Sequence, residues 1–248
     1  MGCFLIGILT LMSMRRHPHS SLINHLLTAL PPGEYRRLVP QLELVSLEKK
    51  QVLYPPTDEP ISQVYFPENA VIPILAHLHD GRTVEVGIVG HEGVVGLHAL
   101  FGTSSHPYLY FALTGGIAYR MQAEVLTAEF KRGGVLQDLL LRYTQARLSQ
   151  FSLISACNYF HPLIKRICRW LLMVHDRIGA DELSLTQESI AQVLRVRRTG
   201  VTEAVGILQQ RKLITYHYGR IMLLDRGGLE RAACECYRTL SDVLTSLR

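Results

Sequence analysis

The residues with the most chemistry to offer lie between positions 186 and 220. Arg195, Arg197 and Arg198 fall within four positions, Thr199, Thr202 and Glu203 follow, and Arg220 stands further on. A guanidinium can donate two bonds to guanine O6 and N7 or clamp a phosphate. A threonine hydroxyl bonds a base edge or a phosphate and can present its methyl to thymine. A glutamate accepts from cytosine N4. On a plain solvated helix such arginines would more often face acidic residues one turn away. Here the residues four places on are Thr199, Val201 and Thr202, and only Glu203 is near. The set predicts contact with double-stranded DNA.

Those side chains need a scaffold, and the sequence supplies one. Thr186 is a candidate N-cap for a helix over Gln187 to Leu194. A link, Arg195-Val196-Arg197, leads to a second helical pattern from Arg198 to Lys212. Ile190, Ala191, Leu194, Val196, Val201 and Val205 form its apolar set, with small Ala191 where two helices would cross. This is the plan of a helix-turn-helix. The turn often holds Gly where Arg195 stands, so a positive φ there would carry a backbone cost. Apolar runs on either side of Tyr218-Gly219-Arg220 predict a β-hairpin, which makes the unit a winged helix with Arg220 at the wing tip, placed for phosphate. The chain is expected to close in a helix capped near Asp225.

Charge agrees with this placement. The chain has 248 residues and a net charge of +5. Residues 161–248 hold 14 Lys and Arg against 9 Asp and Glu, whereas residues 1–160 hold 12 of each. A neutral part followed by a basic one suits a polyanion partner. The apolar fraction of 48% argues for buried cores and against disorder. Five cysteines, at 3, 157, 168, 234 and 236, are an odd number, and Cys234-x-Cys236 is too close-set for a CxxC pair. They read as ordinary thiols of a cytoplasmic protein, with no metal site. The first 20 residues carry an apolar run too short to span a bilayer, with Arg15 and Arg16 on the wrong side for a secretory signal. They read as a non-native or disordered extension, with Met12 or Met14 as plausible starts and a membrane anchor as the lesser alternative.

Upstream of the basic third the pattern changes twice. Residues 21–44 read as two short helices around Pro31-Pro32-Gly33. Short β-rich runs follow, broken by turn signals at Pro55-Pro56, Asp80-Gly81, Gly90, Gly93, Gly102 and Gly115-Gly116, and Asp80-Gly81 marks a hairpin. Strands at that spacing predict a small antiparallel barrel or roll. From Val135 to Tyr159 no Gly or Pro interrupts a helical pattern. Leu136, Leu140, Tyr143, Arg147, Gln150, Ile154 and Cys157 form a heptad-like stripe along it. The stripe is either a dimer seam, which we favour, or a face packed on its own domain. His161-Pro162 breaks that helix, and another runs to Gly179. The fold class is therefore α+β. An effector-type roll spans residues 21–130, a dimerisation helix 131–160, and a winged helix-turn-helix domain 161–248.

This sequence resembles the Crp/Fnr family of bacterial transcription regulators over roughly residues 21–240. The strongest parts are "LTQESIAQVLRVRRTGVTEAVGILQQRKLI" and "GRIMLLD". The resemblance implies a roll of cyclic-nucleotide-binding type, a homodimer on a palindromic promoter site, and contact with RNA polymerase. It also implies an effector site, which would fall between Glu85 and Leu113. Nucleotide-binding members carry Gly-Glu in a phosphate-binding turn and an Arg-Ser pair after it. Here Gly96 is followed by Leu97, and the Arg-Ser pair falls on His106-Pro107. A buried cyclic phosphate without a cation is costly, so cyclic AMP in the usual mode is not expected. An iron–sulfur cluster lacks its N-terminal cysteines, since only Cys3 precedes Cys157. Haem is not supported by the spacing of His77, His79, His91, His98 and His106.

Enzyme chemistry has no foothold: there is no Gly-rich phosphate loop, no HExxH and no GxSxG. The alternative function is a ligand-binding signalling module whose winged helix serves protein contacts.

Overall fold

The computed structural model describes residues 22–56, 59–102 and 106–245. The N-terminal extension expected from the sequence lies outside the described residues.

Two short helices open the fold, α1 (His25–Thr28) and α2 (Pro32–Leu38). Asn24 caps α1 through its side chain, and Pro32 sits at the first position of α2, where no intrahelical amide is needed. Seven strands then form two antiparallel sheets. They are β1 (Glu43–Leu47), β2 (Val52–Tyr54), β3 (Gln63–Pro67), β4 (Ile72–His77), β5 (Thr83–Val89), β6 (Tyr108–Phe111) and β7 (Gly116–Gln122). One sheet has the order β1-β7-β3 and the other β2-β6-β4-β5. The Asp80-Gly81 turn joins β4 to β5 as the sequence predicts: His77 pairs with Thr83, the Gly81 amide donates to the Leu78 carbonyl, and Gly81 takes φ 80°.

Helices make up most of the rest. They are α3 (Ala123–Arg132), α4 (Val135–Phe160), α5 (Leu163–Ile178), α6 (Gln187–Leu194) and α7 (Arg198–Gln210). A small sheet in the order β8-β10-β9 is built from β8 (Glu182–Leu183), between α5 and α6, and from β9 (Ile214–His217) and β10 (Arg220–Leu223), after α7. The chain closes in two helices where the sequence predicts one, α8 (Arg226–Ala232) and α9 (Cys236–Thr245). Asp225 caps α8 as expected, accepting from the Gly228 amide, but Ala233 turns extended and breaks the run.

Two cores result. One lies inside the roll and takes in α1, α2 and the first half of α4. The other gathers α5 to α9 around Trp170 and includes Val71, Leu75, Ile88 and Leu113 of the roll. The roll and the helical third thus share a core. Two buried ion pairs reinforce that junction. Arg169 of α5 meets Glu85 at 3.3 Å, and Arg177 meets Glu92 at 2.6 Å.

The stripe predicted along α4 faces the interior of its own chain. Leu136, Leu140, Tyr143, Arg147, Gln150, Ile154 and Cys157 are all buried within the chain. Tyr143 donates to the Val94 carbonyl, Arg147 to the Ile88 carbonyl, and Gln150 accepts from the Ile88 amide. The heptad spacing is real, but it marks the side of α4 that packs on its own chain, on the roll for most of its length and on the helical third at Ile154 and Cys157. A single-sequence stripe cannot say which body it faces. The opposite side of α4 is exposed, with Leu141 at 48%, Leu148 at 56% and Tyr159 at 83%.

Candidate functional site

Helices α6 and α7 meet as the sequence predicts. Thr186 caps α6, its hydroxyl accepting from the Ser189 amide at 3.0 Å. Arg195 ends that helix in the left-handed region, φ 52° and ψ 55°, with its amide bonded to the Ala191 carbonyl. The Val196 amide also bonds the Ala191 carbonyl, at 3.1 Å. Arg197 is the N-cap of α7. Ile190, Ala191, Leu194, Val201 and Val205 are buried, and Val196 packs against them half-buried. The second helix is held so close to α5 that a Cβ on Gly200 would come to 3.0 Å from the Leu163 side chain.

All seven side chains singled out from the sequence, Arg195, Arg197, Arg198, Thr199, Thr202, Glu203 and Arg220, are exposed. The first six belong to one turn and the opening of one helix. Thr202 is not free to rotate: its hydroxyl donates to Gln187 Oε1 at 2.7 Å and lies 3.1 Å from the Arg198 carbonyl. Gln187 therefore belongs to this face, and sequence reasoning missed it. Its signal was its place directly after the Thr186 cap, at the front of the helix that crosses behind α7. Arg220 follows a two-residue turn in which both Tyr218 (φ 43°) and Gly219 (φ 80°) have positive φ, the pattern of a tight hairpin. Its guanidinium holds Glu182 at 2.9 Å across the small sheet. Tyr218 is 92% exposed and forms the tip itself, another residue the sequence reading left out.

Comparison with known proteins agrees with this geometry. Residues 165–232 match the model of the Crp-like helix-turn-helix domain. The chain is 27% identical over 188 residues to the transcriptional regulator SdrP of Thermus thermophilus, covering 73% of this chain and 89% of that protein. It is 23% identical over 185 residues to the global nitrogen regulator of a Nostoc species, covering 71% and 82%. The structure of FixK2 from Bradyrhizobium japonicum superposes with a TM-score of 0.66 at 19% identity, covering 78% of this chain and 98% of that one. The chain carries a Crp-like helix-turn-helix domain and is similar to transcriptional regulators of the Crp/Fnr type. Its helix-turn-helix is a DNA-binding domain, and the relatives it matches are regulators rather than enzymes. Among the described residues no helix is long and apolar enough to cross a membrane.

The roll holds a cavity of about 240 Å³ against α4. Its lining is mainly apolar and aromatic, from Ile74, Val94, Leu97, Phe101, Tyr108, Tyr110, Leu148 and Phe151. Gly96, with φ 97°, begins a 3-10 turn over Leu97–Phe101, and Leu97 forms part of the cavity wall. His106 is buried next door, its ring 5.7 Å from that of His98. Burial, His106 and Arg147 together lower the His98 pKa to about 4, so this ring is neutral at ordinary pH.

Arg147 is the charged group in the lining. Its Nη1 bonds the Ile88 carbonyl and Gln150, its Cζ lies over the Phe151 ring 5.0 Å from the centroid, and its buried Nη2 has no hydrogen-bond partner. Gly87 lets it sit there, because any Cβ at that position would collide with Nη2. Sequence reasoning placed Arg147 in a dimer seam. It lies instead in the lining of this cavity, and the signal that could have shown this is the pair Arg147 and Gln150 inside a stripe that is apolar apart from them.

Proposed function

We propose that the chain works as a homodimer on a two-fold-symmetric promoter site. The α7 helix enters the major groove, with Arg198, Thr199, Thr202 and Glu203 at base edges. Arg195, Arg197 and Arg220 hold phosphates, and the two recognition helices lie about one DNA turn, ~34 Å, apart. One observation carries this reading: six exposed side chains capable of base and phosphate contact crowd the turn and front of a helix supported from behind by α5 and α6. RNA polymerase is the expected second partner. The roll, α4 and the winged-helix part serve as effector, dimerisation and DNA-binding domains.

The second copy docks on the outer side of α4, where Leu141, Leu148 and Tyr159 are exposed at helical spacing. Leu148 also lines the roll cavity. A ligand there therefore touches the seam directly, which gives effector binding a physical route to the dimer. The unpartnered Arg147 Nη2 inside an aromatic wall favours an effector with an apolar body and one anionic group. The usual mode of cyclic AMP lacks its glutamate here, since Leu97 replaces it.

The test is a binding-site selection with wild type and Arg198→Ala. Loss of preference at one base pair per half-site, at about 1–3 kcal/mol, is the expected result. A loss that is uniform across sites would make Arg198 a phosphate contact instead. Selected sites without two-fold symmetry would overturn the dimer reading.

A further inference from the structure

Where α4 ends, four side chains converge that the DNA-binding function does not use. Cys157 lies in the last turn of α4, and His161 is the residue that stops it. Cys234 lies in the break between α8 and α9, and Cys236 opens α9. One ligand-type atom from each lies within 4.8 Å of all the others. Cys157 Sγ is 3.5 Å from Cys234 Sγ, and Cys236 Sγ is 3.7 Å from His161 Nδ1. Zinc binds thiolate at about 2.3 Å, and a tetrahedron of that radius has edges of roughly 3.8 Å. The four atoms are thus spaced like the corners of a site for one small cation. The cysteines of an iron–sulfur cluster sit further apart, because they bind different irons.

Two further observations point to a ligand rather than to a patch of buried thiols. His161 Nε2 lies 3.2 Å from Glu235 Oε1, which turns Nδ1 toward the sulfurs. A carboxylate behind an imidazole is the usual way a metal-binding histidine is oriented. The charge balance also fits. Arg166 and Arg169 are near enough to Cys157 and Cys234 for their charges to act on them, and these two cations share the one carboxylate of Glu85, which pairs directly with Arg169. Zinc(II) with three thiolates and a neutral imidazole carries one negative charge, which answers the cation left over. The three cysteines also form a buried cluster of their own, apart from both main cores.

We infer that Cys157, His161, Cys234 and Cys236 form a three-cysteine, one-histidine site for a zinc-type cation. It ties α9 to the end of α4, at the His161-Pro162 break where the helix-turn-helix part leaves the long helix. Three thiol protons pass to solvent as the cation binds, and no redox step is involved. This inference stands apart from the DNA-binding reading, since its measurement involves no DNA.

The full chain, purified under reducing conditions and stripped with chelator, is titrated with cobalt(II) and then with zinc(II). The expected result is one cobalt per chain, with the intense visible bands of tetrahedral coordination and a thiolate-to-cobalt band in the near ultraviolet, all bleached by one zinc. His161→Ala and the pair Cys234→Ser with Cys236→Ser lose that spectrum, whereas Cys168→Ala, a buried cysteine outside the cluster, keeps it. Zinc should raise the melting temperature of wild type and leave His161→Ala unmoved. Circular dichroism confirms that each variant is folded, and if the cysteine pair folds poorly, the wild-type titration and His161→Ala decide. Folded wild type without a tetrahedral cobalt spectrum, a spectrum that survives in His161→Ala, or a Cys157–Cys234 disulfide in fresh metal-free protein would each overturn the inference.

Discussion

Arg195 shows how much one backbone angle can decide. It sits at φ 52°, where a side chain costs about 1 kcal/mol relative to glycine, yet it is exposed and aimed away from the core. Arg195→Gly should therefore stabilise the fold by about 0.5–1 kcal/mol, offset in part by the greater freedom of glycine in the unfolded chain. The same variant should weaken DNA binding, with a salt slope shallower by about 0.9 for the lost phosphate contact. Urea melts and binding isotherms across a salt series check both signs together. His98 makes a different prediction. Its ring faces His106, Tyr108, Tyr110 and Arg147, and its pKa falls from 6.5 to about 4. Between those values the unfolded chain binds a proton that the folded chain does not. This contribution is fully present above pH 6.5 and is lost as pH falls toward 4, on the order of 2–3 kcal/mol after allowing for solvent access. Over that window the stability of wild type should fall more steeply with decreasing pH than that of His98→Gln, and equal slopes would show that the ring is not the cause.

Helix α4 is the element on which the sequence reading was half right. Its uninterrupted length was legible because Val135 to Phe160 contains neither Gly nor Pro. The direction of its stripe was not, since a heptad looks the same whether it faces a partner or its own domain. The charged and polar members, Arg147 and Gln150, are what the roll demands: they satisfy Ile88 main-chain groups that β5 leaves open. The outer side then becomes the candidate seam. Leu148→Glu, or Leu141→Glu with it, should shift the chain from dimer to monomer in analytical ultracentrifugation without lowering the melting temperature of the monomer. The buried Leu140→Glu change should instead unfold the chain, because it places a charge in the roll's core. The helix-turn-helix was the element most legible from sequence, because caps, small crossing residues and exposed arginines are all local signals.

At the scale of the whole molecule, the contact between roll and α5 combines a shared apolar core with two buried ion pairs. Burial pushes the Glu85 carboxyl up despite Arg169. For Glu92, burial is outweighed by Arg177 and the surrounding hydrogen bonds, so its carboxyl is held below the ordinary range. A depressed carboxyl stabilises above its unfolded pKa, and that stability is lost as pH falls through the folded one. Glu92→Gln leaves Arg177 buried without its counter-charge and should cost roughly 3 kcal/mol in urea unfolding at neutral pH. Changing both partners, Glu92→Leu with Arg177→Met, should recover most of that loss. Full destabilisation in the double variant would show that the pair does more than neutralise itself.

The sequence by itself determined the α+β class, the hairpin at Asp80-Gly81, the helix-turn-helix and the family resemblance. Each rests on local spacing: a cap, a turn residue, a period of two or 3.6. Only the tertiary structure decided that Arg147 lies beneath the roll cavity, that Gln187 supports Thr202, and that Cys157 and His161 meet Cys234 and Cys236. Cys234-x-Cys236 looked too close-set to matter because its partners lie some 75 positions away. They are brought near by the break at Ala233 and the packing of α9 on α4, which no local pattern encodes.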